Sequence, residues 1–235
     1  MHPDCIICSM VKLFACELVD EQSFKSLELA LINKMPPTSA QRASKYRFKD
    51  DTQRYIIGDL LARYALKETN GVWPVESFVI GDKGKPHPDG LNGIYFNISH
   101  SGKWVVVIVG KCPVGVDVEK IRKVPDGVIN RFFSESEKST INSAIDYVEK
   151  QNLFFTIWTL KESFLKTTGH GLTKSLSTFT VKKAENDEWQ LVPDDETYGY
   201  YLKVYPLGME YKLSACAKSM SFSESIEFIS LNDLI

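Results

Sequence analysis

The stretch Val114-Gly115-Val116-Asp117-Val118-Glu119 places a valine at every second position. Such alternation predicts a β-strand with the valines on one face and Asp117 and Glu119 on the other. Two carboxylates at positions i and i+2 of a strand lie about 7 Å apart. That separation suits a hard, oxygen-seeking cation between them. We therefore interpret this strand as one half of a cation-binding site.

A second stretch, Trp158–Lys166, has the apolar periodicity of a helix. Glu162 and Lys166 are four residues apart, so they share one helix face. Packed against the strand, this helix would bring a third carboxylate and an ammonium to Asp117 and Glu119. A divalent cation and a lysine together are suited to binding a pyrophosphate. Each pair alone also has an ordinary interpretation, as solvent-facing strand carboxylates or as a surface helix pair.

The composition excludes several classes of protein. With 235 residues, 43% apolar and 25% charged, the chain is an ordinary globular sequence that can bury a sizeable core. Its net charge of −2 excludes the basic field typical of nucleic-acid binding. No apolar run approaches the length of a membrane span, and the first residues lack the basic segment of a signal peptide. We expect a cytoplasmic protein without a nucleic-acid or membrane partner.

The five cysteines favour a reducing compartment, because their number is odd and their spacing forms no disulfide framework. Cys5 and Cys8 form a single C-x-x-C pair. A structural zinc site needs a second pair or suitably spaced histidines. We therefore interpret both residues as ordinary thiols.

Three further segments are candidates for contacting phosphate. Residues 41–49 interleave cations with aromatic residues, as either a solvated helix face or a phosphate-facing patch. Residues 81–90 are rich in Gly, Pro and Lys; such loops are usually turns, although they can also hold phosphates or border a purine. Residues 99–102, Ser-His-Ser-Gly, precede a predicted buried strand at 104–109. They form a compact set of donors, whereas a lone histidine beside a core strand is more often structural.

The order of predicted elements indicates an internal repeat. Long helices are predicted at residues 50–69 and 152–168, and each ends at a glycine and precedes a strand. Their spacing is close to 100 residues, which pairs Lys67 with Lys166. We expect an α+β fold made of two pseudo-symmetric lobes from an internal duplication, with a ligand cleft between them. The predicted lobes are residues 1–112 and 113–235.

The remaining elements are short. A helix is predicted at residues 21–34, and the tail at 226–235 is expected to return as an edge strand or a short helix. Further strands are predicted at residues 5–16, 73–80, 176–182, 188–192, 199–205 and 210–217.

Four blocks together resemble the 4′-phosphopantetheinyl transferases, in the double-length type that activates surfactin synthetase. They are Lys83-Gly84-Lys85-Pro86, Phe96–Gly102, Gly115–Glu119 and Trp158–Lys166. One block alone would be weak support, but four in the family's order and spacing make chance similarity improbable. The resemblance covers roughly residues 36 to 217. It agrees with the repeat, because this family has two pseudo-symmetric α+β lobes in one chain, with coenzyme A between them.

The resemblance implies an enzyme that transfers the 4′-phosphopantetheine arm of coenzyme A to a serine hydroxyl of an apo carrier protein. Adenosine 3′,5′-bisphosphate is the other product. It also implies Mg²⁺ or Mn²⁺, and a monomer, because the repeat supplies the lobe contact within one chain. Acyl and peptidyl carriers, including those of nonribosomal peptide and antibiotic synthesis, are the expected partners.

The resemblance also assigns roles to residues. Asp117, Glu119 and Glu162 would bind the metal, and Lys166 would neutralise the pyrophosphate as it breaks. Glu162 is our candidate for accepting the serine proton, directly or through a metal-bound water. The expected coenzyme A contacts are Arg42, Lys83, Lys85, Pro86, Ser99, His100 and Lys166, with His100 at the 3′-phosphate.

Two positions depart from the family pattern. Ser39 stands where a basic residue is usual, so Lys45 is a candidate replacement. Tyr55 stands where a small hydroxyl residue is common. Arg131-Phe132-Phe133 is the candidate carrier-docking segment, with burial of both phenylalanines in the core as the alternative.

Other functions remain as alternatives. A catalytically silent carrier-binding module or a Mg²⁺-dependent nucleotide pyrophosphate hydrolase could keep the same fold. Ser163 and Lys166 also form S-x-x-K, but the S-D-N and K-T-G partners of penicillin-binding enzymes do not occur. A Walker A sequence and a G-x-G-x-x-G are missing as well, which excludes P-loop and dinucleotide-binding interpretations.

Overall fold

The computed structural model describes residues 10–74, 76–81, 85–88, 90–169, 171 and 175–235. The predicted coenzyme A contact Lys83 and the pair Cys5 and Cys8 lie outside these residues. Cys16 and Cys216 are buried thiols, as the odd cysteine count predicts. Within the described ranges, no helix is long and apolar enough to cross a membrane.

The first half of the chain forms the N lobe. Its elements, in order, are β1 (Lys12–Glu17), α1 (Glu21–Ile32), α2 (Pro37–Ala43), α3 (Lys49–Asn70), β2 (Val79–Ile80), β3 (Pro86–His87), β4 (Tyr95–Ser101) and β5 (Trp104–Gly110). Strand β5 pairs with β1 on one side and with β4 on the other, both antiparallel. Strands β2 and β3 form a separate short hairpin.

The second half forms the C lobe. Its elements are β6 (Val114–Lys120), α4 (Val128–Phe132), α5 (Glu135–Asn142), α6 (Tyr147–Thr168), β7 (Val181–Lys183), β8 (Trp189–Leu191), β9 (Tyr201–Tyr205) and β10 (Tyr211–Ala217). Strand β10 pairs with β6 and with β9, both antiparallel, and β7 pairs with β8 in a hairpin. The C lobe therefore repeats the N lobe from first strand to last, which confirms the predicted two-lobed α+β fold.

The two long helices also end in the same way. Helix α3 is followed by Gly71 at φ 79° and helix α6 by Gly169 at φ 70°, a left-handed conformation that glycine adopts without strain. Helix α6 begins five residues before its predicted start at residue 152. The side chain of Asp146 accepts a hydrogen bond from the amide of Glu149, a cap that the sequence prediction missed.

The segment between α3 and β4 differs from its prediction as one strand over residues 73–80. Among the described residues of this segment, only Val79–Ile80 form a strand. The guanidinium of Arg63, buried in α3, donates to the carbonyl oxygens of Pro74 at 2.5 Å and Glu76 at 2.9 Å. These two carbonyls are therefore paired with a buried side chain and not with a neighbouring strand.

The tail returns to the N lobe. Strand β11 (Glu227–Phe228) pairs parallel with β1, and a 3₁₀ helix follows at Leu231–Leu234. The side chains of Leu231 and Leu234 are buried in the N-lobe core. Both forms predicted for the tail therefore occur in succession.

The two lobes share a core between their sheets. Val114, Val116 and Val118 on one face of β6 pack in the same buried cluster as Val106 and Ile108 of β5. The opposite face of β6 is therefore turned toward α6, which lies in a separate C-lobe core. This arrangement confirms the alternation predicted from residues 114–119 and decides where the carboxylates lie.

Candidate active site

Gly115 brings β6 against α6. A Cβ atom at this position would overlap the carbonyl oxygen of Ser163 and lie 2.5 Å from the amide nitrogen of Thr167. Only glycine therefore allows the strand backbone to touch the helix backbone at this point. Asp117 and Glu119 follow on the same face of the strand, so they lie beside the last turns of α6.

A partly buried ion pair joins these two elements. The ammonium of Lys166 lies 2.6 Å from Oδ1 of Asp117 and donates to Oγ of Ser99 at 2.9 Å. Ser99 also donates to Oδ1 of Asp117 at 3.1 Å. Burial raises the pKa of Asp117, an effect that Lys166 opposes and the charge of Glu119 increases. Oδ2 of Asp117 is buried without a hydrogen-bond partner.

The carboxylates of Glu162 and Glu119 interact electrostatically with that of Asp117. Burial raises the pKa of Glu162, and the charges of Asp117 and Glu119 raise it further, whereas Lys166 lowers it. Oε2 of Glu119 accepts hydrogen bonds from Ser101 at 3.0 Å and from Arg122 at 3.0 Å. The structure therefore gathers three acidic groups and one ammonium into one electrostatic cluster.

Strand β4 of the N lobe supplies the other side of this cluster. The amides of Val116, Val118 and Lys120 on β6 donate to the side chains of Asn97, Ser99 and Ser101, at 3.0, 3.3 and 3.0 Å. These three polar side chains therefore bridge two strand edges that share no backbone ladder. The candidate site lies where the lobes meet.

The oxygen ligands suit a hard divalent cation. Within the described ranges, no three His, Cys, Asp or Glu side chains are already arranged as a metal site, and the ammonium of Lys166 lies on Asp117. Oδ2 of Asp117 nevertheless has no hydrogen-bond partner. Burial and mutual repulsion raise two carboxylate pKa values, and a bound cation would relieve both effects. The residues present therefore fit Mg²⁺ chemically.

A cavity of about 430 Å³ opens in the N lobe on the opposite face of β4. Three of the predicted coenzyme A contacts line it, namely Arg42, Pro86 and His100. Burial lowers the pKa of His100, and the charges of Arg54 and Lys166 lower it further. The charge of Lys166 therefore acts on His100 in the cavity and also on Asp117 in the carboxylate cluster. This shared interaction links the cavity to the cluster.

Arg54 is a cavity residue that the sequence analysis missed. Its guanidinium donates to the carbonyl oxygen of Gly102 at 2.9 and 3.2 Å and to Asp51 at 3.0 Å. In the sequence, its spacing from Asp50 and Asp51 is that of ordinary surface helix pairs. The structure shows that Arg54 binds the turn after β4, at Gly102, and lines the same cavity as His100.

The two departures from the family pattern also lie in this cavity. Ser39 is buried and donates to Oδ1 of Asp59 at 3.2 Å. The ring of Tyr55 stacks near Tyr46, with centroids 5.3 Å apart, and the guanidinium of Arg42 lies 5.5 Å from its centroid. The cavity therefore carries an aromatic, cation-bearing wall at these positions.

Two models of known families match the chain. One, described as "4'-phosphopantetheinyl transferase superfamily", matches residues 113–216, and the other, "4'-phosphopantetheinyl transferase, N-terminal", matches residues 23–112. A 4′-phosphopantetheinyl transferase of Bacillus subtilis is 34% identical over 86% of this chain and 91% of its own length. The transferase Sfp of Bacillus subtilis strain 168 is 31% identical over 85% and 89%.

The chain belongs to the 4′-phosphopantetheinyl transferase superfamily. The resemblance read from four sequence blocks is thereby confirmed, including the Sfp type. Among solved structures, a holo-(acyl-carrier-protein) synthase of Bacillus anthracis in complex with CoA is 17% identical, with a TM-score of 0.41. That match covers 45% of this chain and 94% of the synthase.

Lys85, a predicted coenzyme A contact, has side-chain partners in this transferase that the sequence did not predict. Its ammonium donates to the carbonyl oxygens of Val114 at 3.0 Å and Lys166 at 2.8 Å. Both acceptors belong to the C lobe. The side chain therefore crosses between the lobes, beside the carboxylate cluster.

The candidate docking segment is only partly exposed. Phe133 is 2% exposed and packs in the C-lobe core, which supports the core interpretation for that residue. Phe132 is half-buried, with its ring edge-on to Trp158 at 5.8 Å. Arg131 is exposed over the ring of Phe132.

The buried pair of Lys161 and Glu137 was also missed. The ammonium of Lys161 lies 2.6 and 2.8 Å from the carboxylate oxygens of Glu137 and donates to the carbonyl oxygen of Phe179 at 2.6 Å. Glu137 also accepts from the amides of Ser134 and Val181, each at 2.8 Å. Lys161 lies next to Glu162 in sequence but belongs to the core, not to the site.

Proposed function

We propose that the chain transfers the 4′-phosphopantetheine moiety of coenzyme A to a serine hydroxyl of an apo carrier protein. The cluster of Asp117, Glu162 and Lys166 beside the cavity of Arg42 and His100 carries this proposal. A cationic cavity suits the phosphates of a nucleotide. The neighbouring ammonium suits a pyrophosphate whose bond must break.

In the proposed reaction the serine oxygen forms a bond to the β-phosphorus, and the bond from that phosphorus to the bridging oxygen breaks. Lys166 stabilises the negative charge that grows on the leaving bisphosphate. Glu162 accepts the serine proton, directly or through a metal-bound water. His100 and Arg42 hold the nucleotide end in the cavity.

We propose Asp117, Glu119 and Glu162 as ligands of Mg²⁺, with Mn²⁺ as a substitute. When bound, the cation would supply charge neutralisation for the diphosphate. The unpartnered Oδ2 of Asp117 supports this assignment. The chain as a monomer and the lobe division at residues 112 and 113 also remain proposals, and the two family matches meet at that point.

The decisive experiment incubates the purified protein with coenzyme A, Mg²⁺ and a panel of apo carrier domains. We expect the intact mass of at least one carrier to increase by one phosphopantetheine, and the increase to require the metal in a chelator control. Carrier binding without a mass increase would support a silent module instead. Cleavage of coenzyme A without a carrier would support a hydrolase.

Substitution of Glu162 tests its proposed role. We expect Glu162→Gln to reduce transfer at least 100-fold while much coenzyme A binding survives, because removal of a general base typically costs about 10²- to 10⁴-fold. Glu135→Gln is the matched control, since Glu135 is exposed and pairs only with Lys138 among the ion pairs described. Full activity in Glu162→Gln would remove Glu162 from the mechanism.

We propose Arg131 and Phe132 as part of the carrier-docking surface. Phe132→Ala should raise the KM for the carrier several-fold and leave the KM for coenzyme A unchanged, because only carrier contact uses this face. Carrier KM equal to wild type, with the fold intact by circular dichroism, would exclude Phe132 from docking.

A further inference from the structure

Lys85 joins three parts of the molecule. It precedes β3 in the N-lobe hairpin, where its carbonyl accepts from the amide of Gly81 at 3.0 Å. Its ammonium donates to Val114 at the start of β6 and to Lys166 in the last turn of α6. The last carbonyls of a helix lack intrahelical partners and carry partial negative charge, so a cation is stabilising there. Lys85 is thus a cap for α6 that comes from the other lobe.

The two acceptors of Lys85 frame the candidate site. Val114 lies three residues before Asp117 on β6, and Lys166 carries the ammonium that contacts Asp117. Gly115, between Val114 and Asp117, is the point where β6 and α6 touch through their backbones. A side chain that binds both backbones here fixes the distance from which Lys166 reaches Asp117.

Lys85 is half-buried although burial disfavours its charge. Burial lowers its pKa to about 8. An ammonium held mainly by carbonyl groups is costly to desolvate. The side chain therefore does something that an apolar residue could not do at lower cost, and hydrogen bonding to two carbonyls is the feature that the structure provides.

The repeat shows that the hairpin itself does not need this lysine. In the C lobe, Ala184 donates to the carbonyl of Glu188 at 2.7 Å, as Gly81 does to that of Lys85. Glu188 therefore occupies the equivalent position, and it is exposed. Both hairpins form, but only the one next to the candidate site sends a cation into the other lobe.

We propose that Lys85 is a positioning residue, which holds the last turn of α6 against the start of β6 and so orients Lys166 toward Asp117. This inference rests on the proposed transfer reaction. It differs from a coenzyme A contact in its kinetic consequence. Misplacement of a catalytic group lowers kcat, whereas loss of a substrate contact raises KM.

Lys85→Met tests the inference, because methionine keeps most of the side-chain length and lacks the donors. We expect kcat to fall about 10- to 100-fold, in the range known for small misplacements of catalytic groups, with the KM for coenzyme A within about threefold of wild type. Lys85→Arg restores charge and donors and should recover most of kcat. Lys182→Met, in the exposed C-lobe hairpin, is the matched control and should equal wild type.

Three results would overturn the inference: unchanged kcat in Lys85→Met, no recovery in Lys85→Arg, or a tenfold rise in KM for coenzyme A with kcat retained. If Lys85→Met does not fold, Lys85→Arg decides alone: a KM for coenzyme A within threefold of wild type supports positioning, and a tenfold rise contradicts it. An inactive wild type would refute the transfer function itself. An active wild type with unaffected Lys85 variants would refute positioning alone.

Discussion

Helices α3 and α6 are the same element used twice, with different results. Helix α3 spans Lys49–Asn70 and α6 spans Tyr147–Thr168, so each position has a counterpart 98 residues later. This register pairs Arg63 with Lys161, and it pairs Lys166 with Glu68, not with Lys67 as the sequence spacing suggested. Arg63 and Lys161 are both fully buried cations.

The two buried cations have the same three kinds of partner. Arg63 pairs with Asp59 at 2.7 Å, binds carbonyls of the following segment and lies 4.5 Å from the ring centroid of Phe78. Lys161 pairs with Glu137 at 2.6 Å, binds the carbonyl of Phe179 and lies 4.6 Å from that ring centroid. Each lobe therefore fixes the segment after its long helix with one buried cation.

The two lobes differ at the position that follows the buried cation, which is Tyr64 in the N lobe and Glu162 in the C lobe. Tyr64, beside Arg63, contacts the ring of Phe14 on β1 at 6.0 Å, so strand and helix meet through aromatic rings. Its counterpart Glu162 interacts electrostatically with Asp117 on β6. Both lobes therefore keep a buried cation, whereas the next position is an aromatic residue in the N lobe and a carboxylate in the C lobe.

The largest expected effect concerns the shared scaffold. Lys161→Met should lower the free energy of unfolding by about 3–5 kcal/mol, because it leaves the carboxylate of Glu137 buried without its cation. Arg63→Met should lose a similar amount if the two cations are equivalent. Urea denaturation followed by circular dichroism measures both. Lys138→Met, which removes a partner of the exposed Glu135, is the control and should change stability by less than about 1 kcal/mol.

Gly115→Ala tests the backbone contact between β6 and α6 in the C lobe. The added methyl would overlap the backbone of α6, so we expect a loss of about 3 kcal/mol, at the upper end for overpacked cores. Transfer activity should fall with it, since β6 carries Asp117. Wild-type denaturation midpoints in this variant would show that β6 and α6 are not in backbone contact.

Asp117→Asn tests whether the site is maintained at the expense of stability. Because burial raises the pKa of Asp117 from 3.8, the folded state holds its proton more tightly than the unfolded chain. The free energy of unfolding of wild type should therefore fall as pH rises from about 4 through the raised pKa, and stay level above it. The variant lacks this loss and should be more stable at pH 7 by about 1 kcal/mol, without transfer activity.

Urea denaturation of both proteins between pH 4 and pH 7 gives the comparison. Glu162 titrates in both, so the variant should keep a smaller slope of the same sign. An Asp117→Asn protein that is less stable than wild type at pH 7 would mean that the ion pair with Lys166 outweighs the burial of the carboxylate.

The sequence predicts those parts of the site in which the residues are related by the repeat of a single strand or helix. Alternation placed Asp117 and Glu119 on one strand face, and four-residue spacing placed Glu162 and Lys166 on one helix face. Their assigned roles stay predictions. The sequence could not show that Lys161 is a core residue, because its partner Glu137 lies 24 residues away on another helix.

Long-range contacts decide the other differences as well. The role of Lys85 at coenzyme A stays a prediction, and its ammonium binds carbonyls 29 and 81 residues away that the sequence could not indicate. Residues 73–80 have the composition of a strand, but Arg63 binds their carbonyls. In each case a cationic side chain binds backbone carbonyls that a local sequence pattern cannot assign to it.

Gly58→Ala gives the smallest expected effect and completes the comparison. Gly58 lies inside α3, and a Cβ there would meet only Ile98 at 3.5 Å and Val105 at 3.8 Å, which are ordinary contacts. Alanine favours a helix interior over glycine by about 0.5–1 kcal/mol. The variant should therefore gain roughly that amount in urea denaturation. If it instead loses as much as Gly115→Ala, the helix–sheet contact is equally tight in both lobes, and close backbone approach would belong to the scaffold and not to the site.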